Sequence, residues 1–309
     1  MKPVFMINGF LESGKTEFIT YTLTQPYFQT KGTTLLILCE EGEREYTPEL
    51  LASSHTVVEK IEEEADFTPA TLINLEKKHK PGRIVIEYNG MWNFKNVKYP
   101  WHWKLEQQIT IIDGSTFVQY YTNMRSLLAE MIRNSEMIVF NRCDNVKDLN
   151  SYKRNVKAVN PKAEIIFEDA NGEITQIMEE DLPYDIHQDQ ITITEDSFGI
   201  WYLDVMDQPA RYLGKQIQFV GMVTKPASFP KQFFVPGRMA MTCCADDMAF
   251  LGYACHYQAA DALTNGEWVE VTANIQMEYF EPYQGEGPLL YAKRIRKTTP
   301  PKEEVIRFV

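Results

Sequence analysis

Nowhere does the sequence stay apolar for the roughly 18 consecutive residues that a membrane-spanning helix requires, so no membrane span is expected. Cysteine is sparse and irregular. The five present (Cys39, Cys143, Cys243, Cys244, Cys255) are odd in number and at no framework spacing, which predicts free thiols or metal ligands of a reducing compartment rather than disulfides. Positive charge is in deficit, with 31 Lys and Arg against 43 Asp and Glu and a formal charge of −12. Without a concentrated basic face, nucleic acid is not an expected partner, although a local basic pocket for a small phosphorylated ligand is compatible with that balance. No Ser/His/Asp order or His-Glu-x-x-His spacing suggests hydrolysis by a nucleophile or by zinc, and no internal repeat is found. The opening residues, Met1-Lys2-Pro3-Val4-Phe5-Met6-Ile7, are too short for a signal peptide and run into a glycine motif, so a cytoplasmic location is expected.

What is present is enough apolar content, 44% over 309 residues, for two cores. In the first half, β-branched or aromatic runs bounded by turn residues predict strands at Val4–Asn8, Thr34–Cys39, Arg83–Glu87, Gln108–Asp113, Met137–Asn141 and Ile165–Phe167. Helical patterns lie between several of them, at Lys15 to about Gln25, Pro48–Ala52, Pro69–Lys78 and Ser115–Asn134. This alternation predicts an α/β domain with a mostly parallel sheet, assigned to residues 1–188. The rest, 189–309, reads as short strands between Gly, Pro and Asn turns, at Gln190–Ile193, Gln216–Val223, Phe233–Val235, Met239–Cys244, Leu251–Tyr257, Glu267–Gln276 and Leu289–Ile295, and predicts a β-rich barrel or sandwich.

Gly9-Phe10-Leu11-Glu12-Ser13-Gly14-Lys15-Thr16 fits G-x-x-x-x-G-K-[ST]. The four fixed positions would recur by chance in roughly one such chain in a hundred, so context decides. Here a strand precedes the loop and a helix follows it, as a P-loop requires. In such a loop the Gly9, Glu12, Ser13 and Gly14 backbone curls inward around phosphates, Lys15 reaches the terminal phosphates and the Thr16 hydroxyl binds Mg²⁺. Two strands end in an acid, Glu87 and Asp113, and either could hold the Mg²⁺ through water, the other being a strand-end cap. Asn141-Arg142-Cys143-Asp144 sits where a further strand ends, at the edge at which open α/β sheets bind ligands.

Taken in order, the loop, Cys39-Glu40-Glu41-Gly42-Glu43, Arg83-Ile84-Val85-Ile86-Glu87-Tyr88-Asn89-Gly90, Asp113 and Asn141-Arg142-Cys143-Asp144 resemble the CobW family of P-loop GTPases, metallochaperones or metal-insertion factors, over residues 1 to about 170. That family's motifs read G-F-L-G-[SA]-G-K-T, N-E-F-G-E, I-E-x-[ST]-G and N-K-x-D. The resemblance implies GTP and Mg²⁺ as cofactors, phosphate binding by Gly14, Lys15 and Thr16, and a switch region at Glu40–Glu43, with Lys15, Thr16, Glu40 and Glu87 carrying catalysis. It also implies guanine reading by Asp144 with Asn141 fixing the loop. Arg142 stands where the family has lysine, which leaves ATP open. The family's C-x-C-C cluster is absent, since residues 44–82 contain no cysteine. Glu62, Glu63, Glu64 and Asp66 replace it, as hard ligands or as a solvated face.

In the second half, Cys243, Cys244 and Asp246, with Cys255-His256 nearby, are zinc-type ligands. Alternation along a strand opposes this, and the competing arrangement is a core-facing row of Met239, Met241 and Cys243. Tyr212-Leu213-Gly214-Lys215, Phe229-Pro230, Arg238, Cys243-Cys244-Ala245-Asp246-Asp247 and Trp268-Val269-Glu270-Val271 resemble the C-terminal domain of the YcgQ-type permease-subunit family, over roughly 195–305. That resemblance implies an OB-like domain, an association with zinc homeostasis and a permease-like or metal-recipient partner. Self-association into a homo-oligomer is compatible with it. The aromatic connection from Met91 to Trp103 is a packed loop, a switch or a partner surface.

The expected protein is thus a slow GTPase in metal homeostasis or delivery, zinc foremost, whose 40–45 segment GTP·Mg²⁺ would order and hydrolysis release. The alternatives are a regulatory NTP-binding protein with no metal transfer, and a binding module in which Glu12 and Glu17 have cost it hydrolysis.

Overall fold

A computed structural model of the chain describes residues 1–175, 182–241 and 247–308. The chain divides into two units, Met1–Ile177 and Met178–Val309. The first runs β1 (Lys2–Asn8), α1 (Lys15–Thr24), β2 (Thr34–Leu38), α2 (Pro48–Ser53), β3 (Thr56–Lys60), α3 (Pro69–His79), β4 (Arg83–Glu87), β5 (Trp103–Asp113), α4 (Phe117–Asn123), α5 (Arg125–Arg133), β6 (Met137–Asn141), α6 (Leu149–Val159), β7 (Glu164–Asp169) and β8 (Gly172–Glu173). Its strands lie in the order β3-β2-β4-β1-β5-β6-β7-β8. All neighbours are parallel except β8, which returns antiparallel on β7. Helices cover both faces, so the central strands are apolar on both sides: Leu35, Leu36, Ile37, Ile84 and Ile86 have no exposed surface. Three helix starts are capped as their sequences dictate, by Thr47, Thr68 and Asp148, whose side chains accept from the third residue on.

Three local features differ from the expected pattern. β3 was not anticipated because Thr56-Val57-Val58-Glu59-Lys60 is a half-buried edge strand whose second half is charged. α6 was missed because its apolar residues, Leu149, Tyr152, Val156 and Val159, are thinned by Asn, Ser, Lys and Arg. Its Asp148 cap, accepting from Ser151 N at 2.9 Å, is the signal that would have found it. The single helix expected over Ser115–Asn134 breaks at Met124 (φ −132°, ψ 34°). There Thr122 Oγ1 and Asn123 Nδ2 bond back to Val118 O and Gln119 O, and such side-chain bonds compete with the helical ladder.

The second unit contains β9 (Gln190–Thr192), α7 (Phe198–Asp207), β10 (Gln216–Thr224), β11 (Phe233–Met241), β12 (Met248–Gly252), β13 (Cys255–His256), β14 (Trp268–Phe280), β15 (Gly285–Lys297) and β16 (Val305–Arg307). Pairings run β10-β11-β13-β15-β14 and back to β10, closing a ring in which only β13 and β15 are parallel. That is the layout of a five-stranded, OB-like Greek-key barrel. Strict alternation of buried and half-buried residues in β10 fits one inward face. Helix α7 packs on the barrel through Trp201, whose ring centroid is 4.9 Å from Phe219 and 5.8 Å from Tyr253. Its sequence is apolar almost throughout, and so carried no helical period. The competing core row through Met239 and Met241 does not form: both are half-buried, and the inward positions of this stretch are Arg238 and Ala240. The register with β12 and β16 sets that parity. Cys243, Cys244 and Asp246 lie outside the described residues. Among the described residues, no helix is long and apolar enough to cross a membrane, and no group of His, Cys, Asp and Glu is placed to hold a metal.

Candidate functional site

Parallel strands bring their carboxyl ends to one edge, and because β1 lies between β4 and β5, the loop after Asn8 is flanked by Glu87 on one side and Asp113 on the other. The loop needs its glycines for room as much as for conformation. A Cβ on Gly9 would fall 2.3 Å from Ile111 O, and one on Gly14 would fall 2.5 Å from Asn141 Nδ2. Gly14 is left-handed (φ 99°) and is the N-cap of α1 without a side-chain cap bond, so no cap side chain takes up the first N–H groups of the ten-residue helix. Such a terminus favours anions.

Lys15 starts α1 and is 2% exposed. Its ammonium donates to Gly9 O (2.9 Å) and Phe10 O (2.8 Å) and pairs with the Glu40 carboxylate. Burial raises the Glu40 pKa, with Lys15 opposing that rise. Thr16 Oγ1 donates to Glu87 Oε1 at 2.7 Å, and Tyr46 donates to Glu87 Oε2 at 2.5 Å. Burial, and then the Glu87 charge, push the Tyr46 pKa upward and keep it a donor. Cys39, buried between Glu40 and Glu87, has its thiol pKa raised chiefly by burial and then by those two acids.

Of the two strand-end acids, Glu87 meets Thr16 and Asp113 does not. Asp113 accepts from Ser115 N (2.8 Å) and Ser115 Oγ (2.5 Å) through one oxygen and from Arg142 (2.6 Å) through the other. Burial opposes its charge, yet these bonds hold its pKa below the usual aspartate value. Arg142, at φ 53°, also donates to Glu12 O at 2.8 Å, and Asn141 Nδ2 donates to Ser13 O at 2.7 Å. The 141–144 turn is therefore tied to the loop. Asp144 is exposed and accepts from Ala170 N at 3.0 Å, and a cavity of about 400 Å³ opens beside this turn, lined by Gly114, Arg142, Asn145 and Tyr152. The site thus brings together Gly9, Glu12, Ser13, Gly14, Lys15, Thr16, Glu40 and Glu87, with Asn141 and Arg142 at its rim. Sequence reasoning missed Tyr46, which no phosphate motif includes and which reaches Glu87 only through the fold. Glu64, in the acidic stretch, accepts from Asn93 N and Asn96 Nδ2. In the aromatic connection, Trp101 is exposed while Trp103 is buried and donates to Glu76.

Glu12 occupies a left-handed conformation (φ 60°) that costs a non-glycine residue about 1–2 kcal/mol. Among the described residues its side chain accepts one exposed bond, from Glu43 N at 3.2 Å, and lies within charge range of Arg142. Glycine would remove the strain but add unfolded-state entropy of about 0.5–1 kcal/mol. Glu12→Gly is therefore expected to raise the melting temperature of the first unit by roughly 2 °C in scanning calorimetry. A lower melting temperature would show that the Glu43 bond outweighs the strain.

The residues present suit a nucleotide and Mg²⁺. The glycine loop leaves no space for other side chains, the helix terminus is uncapped, and Thr16 and Glu87 offer a hydroxyl and a carboxylate, the hard oxygens Mg²⁺ prefers.

Comparison with known proteins adds to this. Residues 169–306 match the DUF1980 C-terminal domain. A curated relative, UPF0703 protein YcgQ of Bacillus subtilis (strain 168), is 22% identical over 101 residues, which is 33% of this chain. The chain spans about a third of that relative's length. Among solved structures, hydrogenase maturation factor HypB from Archaeoglobus fulgidus aligns at 18% identity with a TM-score of 0.41, over 55% of this chain and 82% of that one. Zn(II)-bound YjiA GTPase from E. coli aligns at 13% identity with a TM-score of 0.41, over 84% of this chain and 97% of its own. More than half of the chain, residues 3–167, matches the CobW/HypB/UreG nucleotide-binding domain, and the chain belongs to this family of P-loop GTPases.

Proposed function

We propose that the first unit binds GTP·Mg²⁺ and hydrolyses it slowly, and that the cycle serves metal homeostasis or delivery, with zinc the first candidate. The observation that carries the nucleotide part is the constellation around Lys15 and Thr16: a buried ammonium and a hydroxyl on the first turn of α1, with the Glu87 carboxylate 2.7 Å from that hydroxyl. Lys15 would neutralise terminal phosphate charge, Thr16 and Glu87 would hold Mg²⁺, and Asp144 would accept from the guanine ring N–H and amino group. Bound Mg²⁺ would supply charge neutralisation at the phosphates. Slow turnover is the expectation because the sequence identifies no water-positioning glutamine or arginine finger. Metal handling is supported by the family and by the zinc-type residues Cys243, Cys244 and Asp246, and a permease-like or metal-recipient protein is the fitting partner of the second unit.

The reading is tested by calorimetry of the full chain with GTP·Mg²⁺ and by Zn²⁺ titration of the protein with and without Cys243→Ser and Cys244→Ser. Micromolar GTP binding and cysteine-dependent Zn²⁺ uptake are expected. GTP binding without cysteine-dependent uptake would favour a regulatory NTP-binding protein that acts through a protein partner.

A further inference from the structure

An ammonium has three hydrogens to donate, and in this structure the Lys15 acceptors already number three: Gly9 O, Phe10 O and Glu40. A phosphate can reach Lys15 only by exchange. The two carbonyls belong to the loop itself, which leaves Glu40 as the exchangeable partner. The same holds one residue on. Both oxygens of Glu87 are engaged, one by Thr16 and one by the Tyr46 hydroxyl at 2.5 Å; each keeps a further lone pair, but a cation there meets the hydroxyl proton at close range and binds best in its place. Glu40 and Tyr46 lie on one segment, seated by three more bonds, Glu43 N to Glu12, Arg44 to Glu17 and Lys60 to Glu41. With that segment in place, the cavity bounded by Gly14, Lys15, Thr16, Glu40 and Glu87 measures about 30 Å³, room for one or two waters and not for a triphosphate.

From this geometry, and resting on the nucleotide reading above, we infer that Glu40 and Tyr46 are internal stand-ins, the carboxylate for a phosphate at Lys15 and the hydroxyl for a divalent cation at Glu87. They make the site selective for ligands that bring both. Phosphate alone leaves Tyr46 on Glu87, and cation alone leaves Glu40 on Lys15. Each exchange loosens the segment that carries the other, so the two ligands bind with positive coupling. Charge makes the cation necessary for the exchange. Five carboxylates (Glu12, Glu17, Glu40, Glu43, Glu87) face three cations (Lys15, Arg44, Arg142) around the cavity. Withdrawal of the segment takes away two of the carboxylates and one cation, and an incoming divalent ion reverses the remaining excess.

The test is calorimetric titration of GTP with and without Mg²⁺ into the full-length protein, Glu40→Gln and Tyr46→Phe, with the ligand-free melting temperature of each as a folding check. Glu40→Gln is expected to bind metal-free GTP at least ten-fold tighter than the unsubstituted chain. Tyr46→Phe is expected to lower, at least three-fold, the Mg²⁺ concentration that half-saturates binding at fixed GTP. Folded variants that match the unsubstituted chain in these two quantities would overturn the stand-in roles while leaving nucleotide binding intact. A chain that binds no GTP even with Mg²⁺ would overturn the nucleotide reading and this inference with it.

Discussion

Lys15→Ala is expected to weaken GTP·Mg²⁺ binding by at least roughly 100-fold, about 3 kcal/mol, the loss typical of a buried charge-assisted contact. The substitution also has a structural effect, which must be separated from this one. Without the ammonium, the Glu40 carboxylate, 9% exposed, is left beside the like charges of Glu12 and Glu87, Gly9 O loses the Lys15 hydrogen bond, and Phe10 O is left with Ser13 N. A lower melting temperature is therefore expected alongside the lost affinity. The double variant Lys15→Ala/Glu40→Gln distinguishes the two, because it removes the uncompensated charge and should recover melting temperature without recovering GTP binding. Binding by either variant as tight as in the unsubstituted chain would refute the phosphate role of Lys15.

Asp144→Asn is expected to cost GTP roughly 100-fold in affinity while raising that of xanthosine triphosphate. Guanine presents two adjacent donors, the ring N–H and the amino group, which two carboxylate oxygens accept. An asparagine offers one acceptor and one donor, which suits xanthine, where an oxygen replaces the amino group. One Asp144 oxygen already accepts from Ala170 N at 3.0 Å, which orients the side chain, and an oxygen has lone pairs for a second bond. Competition between the two triphosphates for a fluorescent nucleotide, measured on both proteins, reads the switch directly. An unchanged preference would remove Asp144 from base recognition and leave the guanine question to Arg142 and the neighbouring cavity.

How much of this was legible depended on whether local chemistry or distant packing placed each residue. The glycine loop was readable because its requirements are local: a strand before, a helix after, and no side chain where Gly9 and Gly14 meet Ile111 and Asn141. The central strands were readable because burial on both faces leaves uninterrupted apolar runs. β3, α6 and α7 escaped because their patterns are diluted by charge or saturated by apolar residues. Tyr46 escaped for a different reason. It is 41 positions from Glu87, and nothing near it in the chain signals that contact.

By itself, the sequence determined that a parallel α/β unit with a phosphate-type loop is followed by a β-rich unit, because backbone period, glycine spacing and apolar content are properties of short windows. Only the tertiary structure decided which acid stands at Thr16, which stands at Lys15, and which rows of the barrel face inward. Those outcomes depend on strand order and register, which bring together residues tens of positions apart and which no local pattern encodes.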